Sequence, residues 1–383
     1  MKYPIYLDYN ATTPLDKEVL EIMVPYLTEH FGNAASRSHA YGWKAAEAVS
    51  IARQQVASLL GASEKEIVFT SGATESINLA IKGAYEALSH KGKHIITVST
   101  EHKAVLDTCQ HLEKLGAQLT YLPVDSQGNI DLDSLEASIQ PTTILISVMA
   151  ANNEIGIIHP LRSIAQIAHK HGVLFHTDAT QAVGKLAIDV IADEIDLLSL
   201  SAHKLYGPKG VGALYIRKKL NIVAQQDGGK HERGLRSGTL NVPGIVGFGK
   251  ASEICQQTIA DEAIRLSSLR DSLETGILSA VPDAKVNGNA IDRLPNTSNI
   301  CFGKIDGEQL LMNLNEIAVS NGSACNSAST EPSYVLKAMG LDDDSAYGSL
   351  RFSLGRATSL QDIEITVKHI GEVVDRMKKV NVF

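Results

Sequence analysis

Short apolar runs recur along the first 216 positions of the chain, and most of them close on a polar residue. They predict strands at Glu66–Thr70, His94–Ser99, Gln118–Pro123, Thr143–Met149, Val173–Asp178, Leu197–Ala202 and Val211–Ile216, with helical-period segments between most of them. That alternation predicts an α/β fold: a mostly parallel sheet of seven strands, covered on both faces, with ligands at the carboxyl ends of its strands. Ahead of it the pattern gives a strand at Ile5–Asp8, then a helix capped by Thr13, starting at Pro14 and running toward His30 with a kink at Pro25. A long amphipathic helix follows from His39 to Leu60, stopped by Gly61.

Beyond Ile216 the pattern changes. A polar stretch containing D-G-G-K-H-E-R-G-L-R-S-G-T leads into a helical region from Val242 to Ala280. Strands near Thr297–Phe302, Ile317–Ser320 and Ser349–Leu354, with helices between and after them, then read as a smaller α+β lobe. At 383 residues the chain exceeds the roughly 250–300 at which a single core stops growing, so two lobes are expected. Residues 14–250 would form the large one, and 1–13 with 251–383 the small one.

Polar residues placed just after the apolar runs are the candidate chemistry. Lys204 falls in the break of D-L-L-S-L-S-A-H-K-L-Y-G-P-K-G-V-G-A-L-Y-I, on a turn between two buried strands. Desolvation there disfavours the ammonium, which suits a lysine that forms a Schiff base; the plain alternative is a solvated loop residue. Ser71, Gly72, Ala73 and Thr74 follow a strand and open a helix, so their N–H groups and the Thr74 hydroxyl either hold a phosphate or simply cap the helix. Asp178 ends V-L-F-H-T-D, where alone it could be a structural cap that needs no ligand, and it closes the strand before the one that Lys204 closes. An acid that can hold a ring N–H beside an amine that can form an imine meets the requirement of pyridoxal 5'-phosphate. His102 could stack on such a ring or only cap its helix, and Asn153 could bind an amide partner or only end its strand.

Charge and cysteine usage narrow the function. A net charge of −8, with no Lys/Arg-rich block, argues against nucleic acid as the main partner. No apolar run approaches the length of a membrane span and M-K-Y-P-I-Y-L-D-Y lacks a signal-peptide core, so a soluble, cytoplasmic protein is expected. The four cysteines at 109, 255, 301 and 325 show neither a disulfide framework nor zinc spacing. Cys109, Cys255 and Cys301 sit at core-like positions. Cys325 lies in S-N-G-S-A-C-N-S-A-S-T-E-P-S, a run with almost nothing to pack, which predicts an exposed, mobile loop and a nucleophile or carrier.

Taken in order, Y-L-D-Y-N-A-T-T-P, F-G-N-A-A-S-R-S-H, E-I-V-F-T-S-G-A-T-E-S, T-E-H-K-A-V-L-D, N-N-E-I-G, D-A-T-Q-A-V-G-K, S-A-H-K-L-Y-G-P-K-G, H-E-R-G-L-R-S-G-T, G-S-A-C-N-S-A-S and S-L-R-F-S-L-G-R span nearly the whole chain. With them the chain resembles the cysteine desulfurases of the IscS/NifS type, in the class V aminotransferase branch of fold type I pyridoxal-phosphate enzymes. The resemblance implies that Lys204 carries the cofactor and moves the proton, Asp178 holds the pyridine nitrogen, Gln181 the phenolic oxygen, and His102 stacks on the ring. Ala73, Thr74, Ser201 and His203 would bind the phosphate, and Thr239 would reach the phosphate of a partner subunit in a homodimer. Asn153 and Arg351 would hold the carboxylate of L-cysteine. Cys325 would take its sulfur as a persulfide, leaving L-alanine, and deliver it to an acceptor such as an iron–sulfur scaffold protein or to tRNA thiolation. No resident metal is implied, though Cys325 could ligate an iron–sulfur cluster in passing. Two departures stand out: Lys230 where a third glycine is expected, and Ala202 in place of a glycine beside His203. The longer relatives implied by the resemblance dock the scaffold through a tail beyond the position where this chain stops, at Phe383. A selenocysteine lyase or aminotransferase on the same fold has less use for a mobile Cys325, and a non-catalytic sulfur carrier would need only Cys325.

Overall fold

The structure is a computed structural model and describes residues 3–303, 305–321 and 331–380. The chain enters through β1 (Ile5–Tyr6), α1 (Lys17–Thr28) and α2 (Ala40–Leu59). Strand and helix then alternate through β2 (Ile67–Thr70), α3 (Ala73–Leu88), β3 (His94–Val98), α4 (Lys103–Lys114), β4 (Gln118–Leu122), α5 (Leu132–Ala137) and β5 (Thr143–Ser147). The series closes with α6 (Leu161–Lys170), β6 (Leu174–Asp178), β7 (Leu197–Ser201) and β8 (Gly212–Ile216).

Strands β2 to β8 form one sheet in the order β2-β8-β7-β6-β5-β3-β4. β8 runs antiparallel to both neighbours, and every other pairing in the sheet is parallel. Six strands therefore point the same way, and the loops after β2, β3, β5, β6 and β7 gather on one edge. Side chains alternate between two cores, as a sheet covered on both faces requires. Val68, Ile95, Leu145, Leu197 and Leu214 pack with residues of α3 and α4, whereas Phe69, Ile96, Ile146, Phe175 and Leu198 pack with residues of α2.

The first helix departs from the expectation. It starts at Lys17, and its cap is Asp16, whose Oδ1 accepts from the Glu18 N–H at 2.9 Å. Thr13 is spent elsewhere: its hydroxyl donates to the His203 carbonyl at 3.0 Å and accepts from the Tyr206 N–H at 2.8 Å. A tertiary contact to the lysine-bearing turn has outcompeted a local cap worth about 1 kcal/mol.

After β8 the chain runs through α7 (Val242–Ala280), β9 (Lys285–Val286), β10 (Thr297–Cys301), α8 (Gly307–Asn313) and β11 (Ile317–Ala318). It ends with α9 (Tyr334–Ala338), α10 (Asp343–Tyr347), β12 (Ser349–Ser353) and α11 (Leu360–Val380). β12, β10 and β9 make an antiparallel sheet, and β11 pairs in parallel with β1. Helix α7 serves two cores. Phe248, Ala251 and Cys255 belong to the core of the large sheet, while Leu266, Leu273 and Ile277 pack with Phe302, Phe352 and Ile370.

The polar stretch between β8 and α7 is held by one buried acid. Glu232 accepts from both terminal nitrogens of Arg53, at 2.7 and 2.6 Å, and from the Phe69 N–H at 2.7 Å. Removing one partner of a buried pair leaves the other charge uncompensated, so Glu232→Ala should lose about 3–5 kcal/mol, and urea unfolding monitored by circular dichroism checks it. An unchanged midpoint would show that the bidentate pair contributes nothing. In the same stretch Lys230 takes φ +57°, the left-handed region in which glycine is unstrained, which is the conformation an expected glycine would have supplied. Ala202 is fully buried, and a Cβ on Gly207 would come within 2.9 Å of its methyl, so Gly207 makes the room that Ala202 takes.

Candidate active site

The gathered loops enclose a cavity of about 520 Å³. Ala73, Thr74, His102 and Asn153 line it, and so do Asp178, Gln181, Ser201, His203 and Lys204. Nine of the expected site residues thus meet in one place. Arg351 and Thr239 do not line it, and Cys325 lies outside the described residues.

Each wall follows from a strand end. β7 runs into a single 3-10 turn, Ala202–Lys204, which lifts Lys204 out of the sheet. Its Nζ donates to the carbonyl of Asn10 and, at 2.8 Å, to that of Ala11, so the amine is held at the cavity by backbone of the N-terminal segment. β6 ends on Asp178, which is 5% exposed. Thr180 grips Oδ1 through its N–H at 3.0 Å and its hydroxyl at 2.5 Å, and Oδ2 has no hydrogen-bond partner among the described residues. Asn152 builds the turn after β5, accepting from the N–H groups of Glu154 and Ile155 at 2.8 and 3.0 Å. Asn153 is left for the cavity, its Oδ1 buried without a partner among the described residues.

The end of β2 is shaped for an anion. Gly72 adopts φ 155° and ψ −179°, a conformation essentially restricted to glycine, and no side chain caps α3. The first-turn N–H groups of a 16-residue helix therefore open onto the cavity beside Ser201 and His203. Gly212 on β8 allows this close approach, since a Cβ there would fall 2.7 Å from the Gly72 Cα. Burial, and then Lys204, Lys209 and Lys185, push the His203 imidazole down to about 4, so it faces the cavity neutral. Its Nδ1 pairs with the Thr12 hydroxyl at 3.1 Å. His102 caps α4, accepting from the Ala104 N–H at 3.1 Å, and it also lines the cavity.

Two further acids lie beneath. Burial, and then the neighbouring Asp178, push Glu101 well above the ordinary carboxylate range, and its Oε1 accepts from the Met149 N–H at 2.5 Å. Glu154 is pushed up to about 7 by burial, against the opposing pull of the Ser333 hydroxyl at 2.5 Å, Arg351 and His102. Arg351, 3% exposed, donates from Nη2 to Asp8 Oδ1 at 2.6 Å and from Nη1 to the Asn153 carbonyl at 3.1 Å. It stands one residue behind the cavity wall and is already paired with an acid. The three described cysteines are buried; burial first pushes Cys109 up to about 12 and Cys255 up to about 11, which leaves them poor nucleophiles.

Sequence reasoning passed over Asn10, Thr12, Thr180 and Asp8. The segment that supplies three of them, Y-L-D-Y-N-A-T-T-P, was visible as a motif, but its working groups include backbone carbonyls, which carry no side-chain signal.

A profile of the class-V aminotransferases matches residues 5–365. The chain belongs to the class-V aminotransferase family. It is 54% identical over 383 residues, all of this chain and 95% of the relative, to a protein named cysteine desulfurase IscS from Anaeromyxobacter sp. (strain Fw109-5). A protein of the same name from Actinobacillus succinogenes is 54% identical over 385 residues, covering 100% of this chain and 95% of its own. Among solved structures, one named NifS-like protein covers 97% of this chain and 100% of its own, at TM-score 0.92 and 40% identity. Another, described as SspA in complex with cysteine, covers 91% and 98%, at TM-score 0.82 and 40% identity.

Class-V aminotransferases work with pyridoxal 5'-phosphate, and this cavity fits it. A buried carboxylate that ends one strand, an uncapped helix end that could take a phosphate, and an amine on the turn after the adjoining strand all line it.

Proposed function

We propose that the chain is a cysteine desulfurase, which converts L-cysteine to L-alanine and passes the sulfur to Cys325 as a persulfide. The observation that carries this reading is the placement of Asp178 and Lys204 at the ends of neighbouring parallel strands, on one cavity with an uncapped helix N-terminus. The names of the relatives support the choice of substrate.

When bound, pyridoxal phosphate supplies an electron sink that makes the substrate Cα proton acidic. Asp178 keeps the pyridine nitrogen protonated, and Gln181 donates to the phenolic oxygen. Ala73, Thr74, Ser201 and neutral His203 hold the phosphate. His102 would pack against the ring, and Lys204 would hold the cofactor and move the Cα proton. Asn153 and Arg351 take the substrate carboxylate, for which Asp8 must yield its place on Arg351. The Cys325 thiolate attacks the substrate sulfur: an S–S bond forms, the C–S bond breaks, its electron pair stays on the carbon side, and protonation there completes alanine.

The large lobe, residues 14–250, would carry the cofactor, and the small one, 1–13 with 251–383, the sulfur acceptor Cys325. We place the enzyme in the cytoplasm, because a working thiolate needs a reducing compartment. A homodimer is supported by an exposed aromatic pair, Phe31 and Tyr41, whose ring centroids lie 5.2 Å apart, and by Thr239, exposed and away from its own cavity. The acceptor would be an iron–sulfur scaffold protein or the tRNA thiolation machinery.

The decisive test supplies L-cysteine and a thiol reductant to purified protein and measures alanine and sulfide. Equal yields of both from a yellow protein are expected. A colourless protein, or keto-acid formation in place of alanine, would overturn the reading in favour of a carrier or an aminotransferase.

A further inference from the structure

Lys185 is an inward-facing amine to which the proposed chemistry gives no task. It follows Gly184, whose φ of +81° turns the chain back; a Cβ there would lie 2.9 Å from the Leu205 Cβ and 3.2 Å from the Cys255 Sγ, so the turn is tight. The turn delivers the amine to Gln181. Lys185 Nζ donates to the Gln181 side-chain oxygen Oε1 at 2.8 Å and to its main-chain carbonyl at 3.0 Å. On the opposite side Gln181 Nε2 donates to the Asn10 carbonyl at 2.9 Å, the same carbonyl that receives the Lys204 amine.

An amide has one acceptor oxygen and two donor hydrogens, and rotation by half a turn exchanges them. Both neighbours of Gln181 reject that exchange. The Asn10 carbonyl accepts only, so it demands the nitrogen; the Lys185 amine donates to the oxygen, and in its protonated form it can do nothing else. One N–H of Nε2 is used on Asn10, and the second remains on a residue that lines the cavity. Drawing electron density toward Oε1 also makes that remaining N–H a stronger donor.

We propose that Lys185 is a positioning residue, which fixes the Gln181 amide with its N–H toward the phenolic oxygen of the cofactor and strengthens that donation. The inference rests on the reading of the cavity as a pyridoxal-phosphate site. Burial, followed by the charges of Lys204 and Arg351, pushes the Lys185 amine down to about 7, which fits an amine held in place by a need other than solvation.

The test uses holoenzyme and reads the visible absorption of the cofactor against pH, together with cofactor retention on dialysis. A weaker donor leaves the phenolic oxygen more basic, so in Lys185→Met the pH at which the visible band titrates should rise, by roughly half a unit or more, and retention should fall about three- to ten-fold. Lys185→Arg, which keeps a charged donor, should restore most of both. In a Gln181→Ala background Lys185→Met should add nothing, because the route through the amide is already gone. An unchanged spectrum and retention in Lys185→Met overturns the proposal. So does a shift of full size in the Gln181→Ala background, which would mean that the charge acts across space. Should Lys185→Met not fold, Lys185→Leu, which also lacks a donor, carries the same expectation. A wild-type protein that takes up no pyridoxal phosphate would instead defeat the functional reading itself.

Discussion

Lys204→Ala should abolish alanine formation, by about 10³-fold or more, while the folded chain persists. The lysine's expected contribution is covalent attachment and proton movement, for which no neighbour substitutes, and a general base alone accounts for about 10²–10⁴. Its hydrogen bonds to the Asn10 and Ala11 carbonyls, from a half-buried amine, are a small structural contribution by comparison. Losing them should cost about 1–3 kcal/mol, which thermal unfolding would read. Two other amines make the assignment a real contest. Lys209 also lines the cavity, and Lys185 reaches Gln181. Position favours Lys204, because only it stands on the turn that ends β7, next to the strand that ends in Asp178. Borohydride reduction of the holoenzyme followed by peptide mapping should find the cofactor on Lys204; a label on Lys185 or Lys209 would transfer the role.

The large sheet was legible because its strands, the edge strand β4 apart, are buried on both faces and read as apolar runs. β5, for example, is Thr143–Ser147 with every residue buried, and the polar residues after it mark the strand end and the cavity at once. The placement of Asp178, Gln181, His203 and Lys204 on the cavity at such ends was therefore legible too. Thr13 shows where local reading stops. As a cap it competes with Asp16, and the choice is made by His203 and Tyr206, which lie about 190 positions away. Arg351 was recognised from its motif, but its pairing with Asp8, 343 positions distant, was not, because a salt bridge across the fold leaves no mark on either segment. The same holds for the relay from Lys185 through Gln181 to the Asn10 carbonyl, whose last member is a peptide oxygen.

Cys325→Ala should separate cofactor chemistry from sulfur transfer. If the thiolate acts only after the substrate has been captured, the variant should still bind L-cysteine and change the visible spectrum of the cofactor, yet form no persulfide and lose alanine production by about 10³-fold or more. The argument rests on which groups handle protons. Lys204, Asp178 and His102 line one cavity, in which Thr180 grips Asp178 and His102 caps α4. The remaining thiols are unsuited to replace it: Cys109 and Cys255 are buried and pushed far above neutral pH, and Cys301 is buried in β10. Stopped-flow spectra of the variant test the first half, and mass spectrometry of the wild-type enzyme after one turnover tests the second. Full alanine yield without Cys325, or a persulfide on Cys109, Cys255 or Cys301, would mean that the sulfur leaves by another route, and the division between a proton-moving cavity and a sulfur-taking thiol would fall.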